Sequence, residues 1–213
     1  MKQGIYTVTS NRPLTADVWE MKLAGDTSSI TAPGQFINIK LEGMYLRRPI
    51  SVCNVEGDEL TIIYKVVGKG TAQMSRMAAG EKLDILTGLG NGYDLSLSGD
   101  KPLLIGGGVG IPPLYNACKK LLAEGKKPTV ILGFNSAADK FYVDEFAALG
   151  AEVKVTSADG SIGLKGFVTD AMKNIEYSHF FTCGPEPMLR AVYNASATSG
   201  QMSFEERMGC GFG

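Results

Sequence analysis

The sequence has one His, one Trp and four Cys in 213 residues, and these scarcities remove whole classes of function. The single His, His179, lies in the apolar stretch Ser-His-Phe-Phe-Thr. That argues for a structural core residue and against His-based acid–base catalysis or a His-rich metal site. The four Cys, at 53, 118, 183 and 210, are scattered, and a chain of this length needs no disulfide staples. Reduced thiols and a cytoplasmic location are expected. Charge of either sign is not in surplus: 21 Lys plus Arg face 22 Asp plus Glu, for a formal net charge of −1. No basic excess points to nucleic acid or to an anionic membrane. Long apolar runs of membrane-span length are lacking. The opening MKQGIYTVTS has no signal-peptide core and reads as a strand. Pro is sparse, at nine, which excludes the joint Pro and Gly excess of disordered or collagen-like chains.

Glycine, by contrast, is abundant: 27 residues, roughly twice average usage. With 44% hydrophobic residues a packed core is assured, and the length allows one large domain or two ordinary ones. The extra Gly is therefore expected inside a folded protein. There it serves backbone that runs close to a neighbour or adopts positive φ.

The two halves of the chain have different rhythms. Residues 1 to about 98 read as short strands, at Ile5–Thr9, Val18–Leu23, Phe36–Leu41, Ile50–Asn54, Leu60–Val67 and Leu83–Leu86. They are β-branched or aromatic and mostly separated by Gly, Pro, Asn or Asp, which predicts an antiparallel barrel or sandwich. Thr71–Ala79 breaks the pattern and reads as a helix. Residues 101–206 alternate instead: strands at Pro102–Ile105, Thr129–Phe134, Val153–Thr156 and His179–Cys183, and helices at Leu114–Glu124, Val143–Leu149, Phe167–Lys173 and Glu186–Ala197. Repeated β-α predicts a doubly wound parallel α/β sheet. The expected domains are 1–98 and 99–206, with 207–213 beginning a further segment.

Four motifs carry chemistry. In Leu103–Ala117 (LLIGGGVGIPPLYNA) a buried strand meets Gly106, Gly107, Gly108 and Gly110, then a helix. Such a loop lets backbone approach a phosphate or nicotinamide at a helix N-terminus. Pro112 and Pro113 suit the first helical turn. The spacing is not G-x-G-x-x-G, since Ile111 holds the last position. A plain strand-to-helix turn is the competing reading, and four Gly in five residues exceed its needs. In Tyr45–Asn54 (YLRRPISVCN) two Arg precede a strand. Arg suits diphosphate, and Ser51 is placed to bond a ring. In Ile62–Met74 (IIYKVVGKGTAQM) a strand ends, Gly68 and Gly70 turn the chain, and Thr71 opens a helix. That makes a second candidate anion cradle. In Phe180–Leu189 (FFTCGPEPML) Cys183 ends a parallel strand, where such sheets bind ligands; a buried apolar Cys is the alternative.

In order and spacing these four motifs resemble the ferredoxin-reductase superfamily. Arg48-Pro49-Ile50-Ser51 is similar to its flavin motif, Gly70-Thr71 to its diphosphate helix, GGGVGIPP to its nicotinamide-dinucleotide loop and Cys183-Gly184-Pro185 to its nicotinamide motif. RRPIS, GGGVGIPPLY, TSADGSIGLKGFVTD, CGPEPML and EERMGCGFG together resemble the electron-transfer subunits of NAD-dependent dihydroorotate dehydrogenase, across essentially the whole chain. The resemblance implies an FAD-binding barrel, an NAD-binding α/β domain and a [2Fe–2S] cluster. It also implies a role in pyrimidine biosynthesis beside an FMN-containing catalytic subunit, in a heterotetramer with two of each. Electrons would pass from dihydroorotate through FMN, the cluster and FAD to NAD⁺. It assigns Arg48, Pro49, Ile50, Ser51, Ile63, Tyr64, Lys65, Gly70 and Thr71 to FAD. Gly107, Gly108, Gly110, Cys183 and Gly184 fall to NAD, Ser51 and Cys183 lie against the reacting rings, and Cys210 is a metal ligand. In the family that Cys opens a C-x4-C-x2-C run typical of plant-type sites. Here the chain stops three residues later, so one thiolate remains, and the sequence is expected to be a piece of a longer protein. The segment after Phe134 offers Asn135, Ser136 and Lys140, and the one after the next strand offers Asp159 and no Arg. This favours NAD over NADP. Two other readings stay open: a flavin subunit of another NAD(P)H-linked reductase (ferredoxin:NADP oxidoreductase or sulfide dehydrogenase type), and a nucleotide-binding module without redox function.

Overall fold

The computed structural model describes residues 1–204. The chain divides into two compact units, the first Met1–Gly92 and the second beginning at Tyr93.

The first unit contains β1 (Lys2–Pro13), β2 (Val18–Ala24), β3 (Phe36–Lys40), β4 (Arg48–Glu56), β5 (Glu59–Lys65), α1 (Lys69–Met74) and β6 (Lys82–Leu89). Of the two expected forms it is the barrel: the strands close in the order β1-β2-β5-β4-β3-β6, every pair antiparallel. Side chains of a strand alternate between faces, so Leu60, Ile62 and Tyr64 of β5 point inward. They join Met21, Leu23, Ile37, Ile39 and Ile85, all at most 1% exposed. Each such side chain contributes roughly 1.5–3 kcal/mol on burial. β1 is much longer than its apolar centre suggests because it serves two neighbours. Lys2–Thr7 pair with β6, and beyond Thr7, across an irregularity between Val8 and Ser10, the strand pairs with β2 as far as Pro13–Trp19. That double pairing closes the barrel and is carried by backbone, which the hydrophobic pattern does not record. Helix α1 stops at Met74, five residues before the expected Ala79. From there the chain tightens into i→i+3 bonds, Arg76 to Gln73 and Met77 to Met74. The Asn11 amide also takes the carbonyls of Met74 (2.9 Å) and Met77 (3.0 Å).

The second unit contains β7 (Pro102–Gly107), α2 (Pro112–Ala123), β8 (Thr129–Phe134), α3 (Val143–Ala148), β9 (Glu152–Ser157), β10 (Leu164–Lys165), α4 (Val168–Ala171), β11 (His179–Gly184), α5 (Glu186–Ala195) and β12 (Gly200–Phe204). The strands form one sheet in the order β10-β9-β8-β7-β11-β12, all parallel. The central strands β7 and β11 are buried at every residue, as expected for a sheet covered on both faces. The edge strands β10 and β12 were not expected. β10 is two exposed residues, and β12 carries the polar Gln201 and Ser203 in an otherwise short run, so neither has a hydrophobic signature. Among the described residues no helix is long and apolar enough to cross a membrane.

Candidate functional site

In the barrel the candidate site is a place where strand pairing stops. The β4–β5 ladder runs from Glu56–Glu59 to Val52–Ile62 and ends. Beyond it Arg48–Ser51 continue on β3, as Arg48–Ile39, Pro49–Asn38, Ile50–Ile37 and Ser51–Phe36. Ile63–Lys65 continue on β2. The two segments thus form no ladder with each other. These are the segments the flavin motifs occupy.

The two Arg of the RRP motif behave differently. Arg47 is built into the barrel, its guanidinium donating to the Asp84 carbonyl (3.0 Å), the Asn38 carbonyl (3.3 Å) and the Asp84 carboxylate (3.1 Å). Arg48 donates to neutral acceptors, the Leu46 and Arg47 carbonyls and the Met44 sulfur. Its guanidinium lies across the start of α1, so that a Cβ at Gly70 would overlap it. Gly70 lets the guanidinium lie close on the start of α1, and the structure brings Arg48 and Gly70-Thr71 together. The Thr71 hydroxyl accepts from the Val67 (3.0 Å) and Gly68 (3.3 Å) amides and donates to the Gly68 carbonyl. It shapes the loop and leaves backbone to meet an anion.

Three flavin assignments land differently from one another. The Tyr64 side chain is inside the barrel, 1% exposed, its hydroxyl donating to Asn11 Oδ1 at 3.0 Å; burial holds the phenol in its neutral form. Ile63, the next residue along the pleat, takes the opposite face and is also buried. Lys65 is half-exposed and paired with Asp17 at 3.0 Å, a surface pair worth at most about 1 kcal/mol. Asn11, which no motif marked, joins Tyr64 at the end of β5 to the last turn of α1.

In the second unit the candidate site is the carboxyl edge of the parallel sheet, where α/β folds bind ligands. Here β7 runs into Gly106–Gly108 beside the end of β11, with Cys183 opposite Gly106. Two of the four loop glycines, Gly106 and Gly110, are demanded by neighbouring backbone, while Gly107 faces the movable end of Met188. A Cβ at Gly106 would crowd Ile111, one at Gly107 the Met188 sulfur, and one at Gly110 the Cys183 carbonyl and Gly184 amide. Gly108 differs: its φ is +52° and nothing lies within 4 Å of a Cβ there. Gly108, exposed where Gly107 is buried, is thus the part of the loop presented outward. Cys183 is buried, 1% exposed, at the tip of β11. The adjoining Gly184, with φ +156°, packs on Met188.

This edge also has a polar group the sequence reading missed. The Tyr93 ring packs edge-on against Phe181, centroids 5.6 Å apart. Its hydroxyl donates to the Thr182 carbonyl at 3.3 Å. Tyr93 stands at the first position of the unit, and only its place after Gly-Asn-Gly could have marked it. At the ends of β8 and β9 the available charge is acidic or already paired. Asp139 accepts from the Ser136 amide (3.0 Å) and hydroxyl (2.9 Å), Asp159 bonds Ser161, and Lys140 meets Asp144 at 3.3 Å. His179 lies at the opposite end of β11, buried, with Nδ1 at 3.1 Å from the Ser199 hydroxyl. Burial lowers its pKa, against a smaller opposing effect of Asp94. It is structural. Cys118 is buried in α2 with its thiol pushed up to about 12 by desolvation, so it is inert.

The oxidoreductase NAD-binding domain family matches residues 104–194. "Dihydroorotate dehydrogenase B (NAD(+)), electron transfer subunit" of Fusobacterium nucleatum is 43% identical, over all of this chain and 87% of its own. The protein of the same name from Bacillus pumilus is 44% identical, over all of this chain and 86% of its own. The chain belongs to the dihydroorotate dehydrogenase B electron transfer subunit family. Among solved structures, the NADH-dependent reduced ferredoxin-NADP oxidoreductase, described for flavin-based electron bifurcation, is 31% identical with a TM-score of 0.78. It covers 88% of this chain and 70% of its own. A ferredoxin NADP⁺ reductase from Neisseria gonorrhoeae, solved with FAD and NADP, shares the fold with a TM-score of 0.83 at 15% identity. That match covers 96% of this chain and 99% of the other.

For the electron transfer subunit family a flavin fits the barrel residues, through the end of the β4–β5 ladder and the Arg48–Gly70 contact. A [2Fe–2S] cluster does not fit the described residues. No group of three or more His, Cys, Asp or Glu side chains among them could hold a metal, and Cys53, Cys118 and Cys183 are buried in separate elements. The expected ligand Cys210 lies outside the described residues, as does the segment 207–213.

Proposed function

We propose that this chain is the NAD-facing electron relay of a dihydroorotate dehydrogenase, taking electrons released by a dihydroorotate-oxidising FMN subunit and delivering them to NAD⁺. The supporting observation is that the full-length likeness to that family coincides with two sites built in one chain. One is the end of a barrel ladder under Arg48, and the other is a glycine loop flush against the Cys183 strand. FAD, when bound, supplies a two-electron group that exchanges hydride with nicotinamide without a protein base. That suits a chain whose one His is buried away from the carboxyl edge.

The residues divide the work. Arg48 neutralises the diphosphate, and the backbone of Gly70 and Thr71 binds its other side. Pro49, Ile50 and Ser51 on one strand, and Ile63 with the backbone of Tyr64 and Lys65 on the other, line the flavin. Gly107 and Gly108 admit the dinucleotide, Gly110 lets the loop seat against β11, and Cys183 with Gly184 abuts the nicotinamide. Asp139 and Asp159 disfavour a 2′-phosphate, which selects NAD over NADP. The unit Met1–Gly92 serves FAD and the unit beginning at Tyr93 serves NAD, so the expected boundary at 98/99 moves to 92/93. A cytoplasmic setting belongs to this reading, supported by three buried free thiols, and so does a heterotetramer with two of each subunit.

Reconstitution tests the assignment. Mixed with a dihydroorotate-oxidising FMN protein, the chain should support NADH formation from dihydroorotate and NAD⁺. Reduction linked instead to ferredoxin and NADPH, with none from dihydroorotate, would move it to the bifurcating oxidoreductases it also resembles.

A further inference from the structure

The carboxyl tip of β11 is held by more than the sheet. Tyr93 is 6% exposed, and a buried phenol requires a hydrogen-bond partner. It finds one in the carbonyl of Thr182, the residue before Cys183, while its ring is fixed by Phe181, the residue before that. Two consecutive residues of the strand are thus addressed by one side chain. Thr182 is itself tied across the sheet, its hydroxyl donating to the Ile105 carbonyl at 2.9 Å. Ser203 of β12 is the register partner of Cys183. The thiol of Cys183 and the hydroxyl of Ser203 are both polar neighbours of the Tyr93 hydroxyl. The backbone of Tyr93's own segment is docked as well. The Asp94 amide donates to the Gln201 side chain and the Gln201 amide group donates back to the Asp94 carbonyl, both at 2.8 Å. Tyr93 therefore cannot swing away without breaking contacts on β11 and β12 together.

We infer that Tyr93 is a positioning residue for nicotinamide, acting through Cys183: its hydroxyl fixes the Thr182–Cys183 terminus of β11 against which the ring is placed. This rests on the reading that the Cys183 tip receives the nicotinamide. Burial strongly favours the neutral phenol, so the hydroxyl keeps its proton and works as an oriented dipole and tether. Hydride exchange depends on alignment of the reacting atoms, and small displacements are costly. The effect should accordingly fall on the chemical step and spare overall binding.

Tyr93→Phe removes the hydroxyl and keeps the ring on Phe181. In the FAD-loaded protein, flavin reduction at saturating NADH, followed by stopped flow, should slow about tenfold. Flavin content and the NADH concentration giving half-maximal rate should stay within about twofold. In a Cys183→Ala background the same change should have no further effect, because coupled positions are not additive. A Tyr93→Phe rate within twofold of wild type, or a full additional loss in the Cys183→Ala background, overturns the inference. If Cys183→Ala itself leaves both rate and NADH dependence unchanged, the reading of the β11 tip as the nicotinamide site fails, and the inference with it. Should Tyr93→Phe not yield folded holoprotein, Ser203→Ala, which takes away a neighbour of the same hydroxyl, is measured in its place against the same two criteria.

Discussion

The two units make their candidate sites by opposite means. The barrel makes its site where one ladder ends: β4–β5 pairing stops at Val52–Ile62, and the strand segments beyond it, with Arg48, flank the gap. The α/β unit makes its site by excess of contact. Its loop after β7 is pressed so tightly on α2 and β11 that a Cβ finds no room at 106 and 110, and at 107 it would have to displace the end of Met188. The difference shows that a glycine-rich loop is not by itself a measure of ligand contact. Two of its glycines answer to neighbouring backbone, and one, Gly108, faces outward.

That contrast can be broken most forcefully at Gly110. Gly110→Ala places a Cβ on the Cys183–Gly184 backbone, which cannot yield as a flexible side chain can. Urea unfolding should show a loss of about 3 kcal/mol. Gly108→Ala meets no atom and is opposed only by its φ of +52°, a cost of about 1 kcal/mol, so NADH affinity should fall more visibly than stability. Equal destabilisation by the two variants would erase the distinction between packing glycine and presenting glycine.

The barrel half is tested next by Arg48→Ala. Loss of a charge-assisted contact worth about 1.5–3 kcal/mol should lower FAD affinity roughly 10- to 100-fold, measured by equilibrium dialysis, while the α/β unit keeps its NAD affinity. Unchanged flavin content would remove Arg48 from the site. Asn11→Ala is expected to have a smaller effect, because it strips the Met74 and Met77 carbonyls and the Tyr64 hydroxyl of a partner rather than removing a charge. A fall of about 1–2 kcal/mol in stability is anticipated, together with faster FAD release. The smallest effect concerns His179. Its folded-state pKa is depressed by burial, so as pH falls below about 6.5 the unfolded chain takes up a proton that the folded chain resists. Stability should decline on acidification through that range and be flat above it. His179→Gln should remove this part of the slope in thermal unfolding at several pH values.

How far the sequence spoke also differs between the units. The α/β strands β7, β8 and β11 were legible nearly to the residue because a largely buried strand is a continuous apolar run between turn signals, and β9, only partly buried, was marked by Val153 and Val155 in alternation. The sheet's edge strands β10 and β12 were not, since backbone pairing alone defines them. In the barrel, strand centres were legible and strand ends were not: Lys2–Gly4 and Asn11–Pro13 are polar yet paired. Arg48, Gly70 and Cys183 stood out because their residue types are unusual for their settings. Arg47 looked identical to Arg48 in sequence, and only the Asp84 contacts separate them. Asn11 and Tyr93 were invisible because each acts across more than fifty residues of chain, on Tyr64 and Thr182 respectively.

The most direct test of the central claim is anaerobic titration of the purified, FAD-reconstituted chain with NADH, read by flavin absorbance. The account predicts one equivalent of FAD per chain, bleached by NADH, with NADPH far less effective. A chain that holds no FAD, or that holds it without being reduced by NADH, would contradict it.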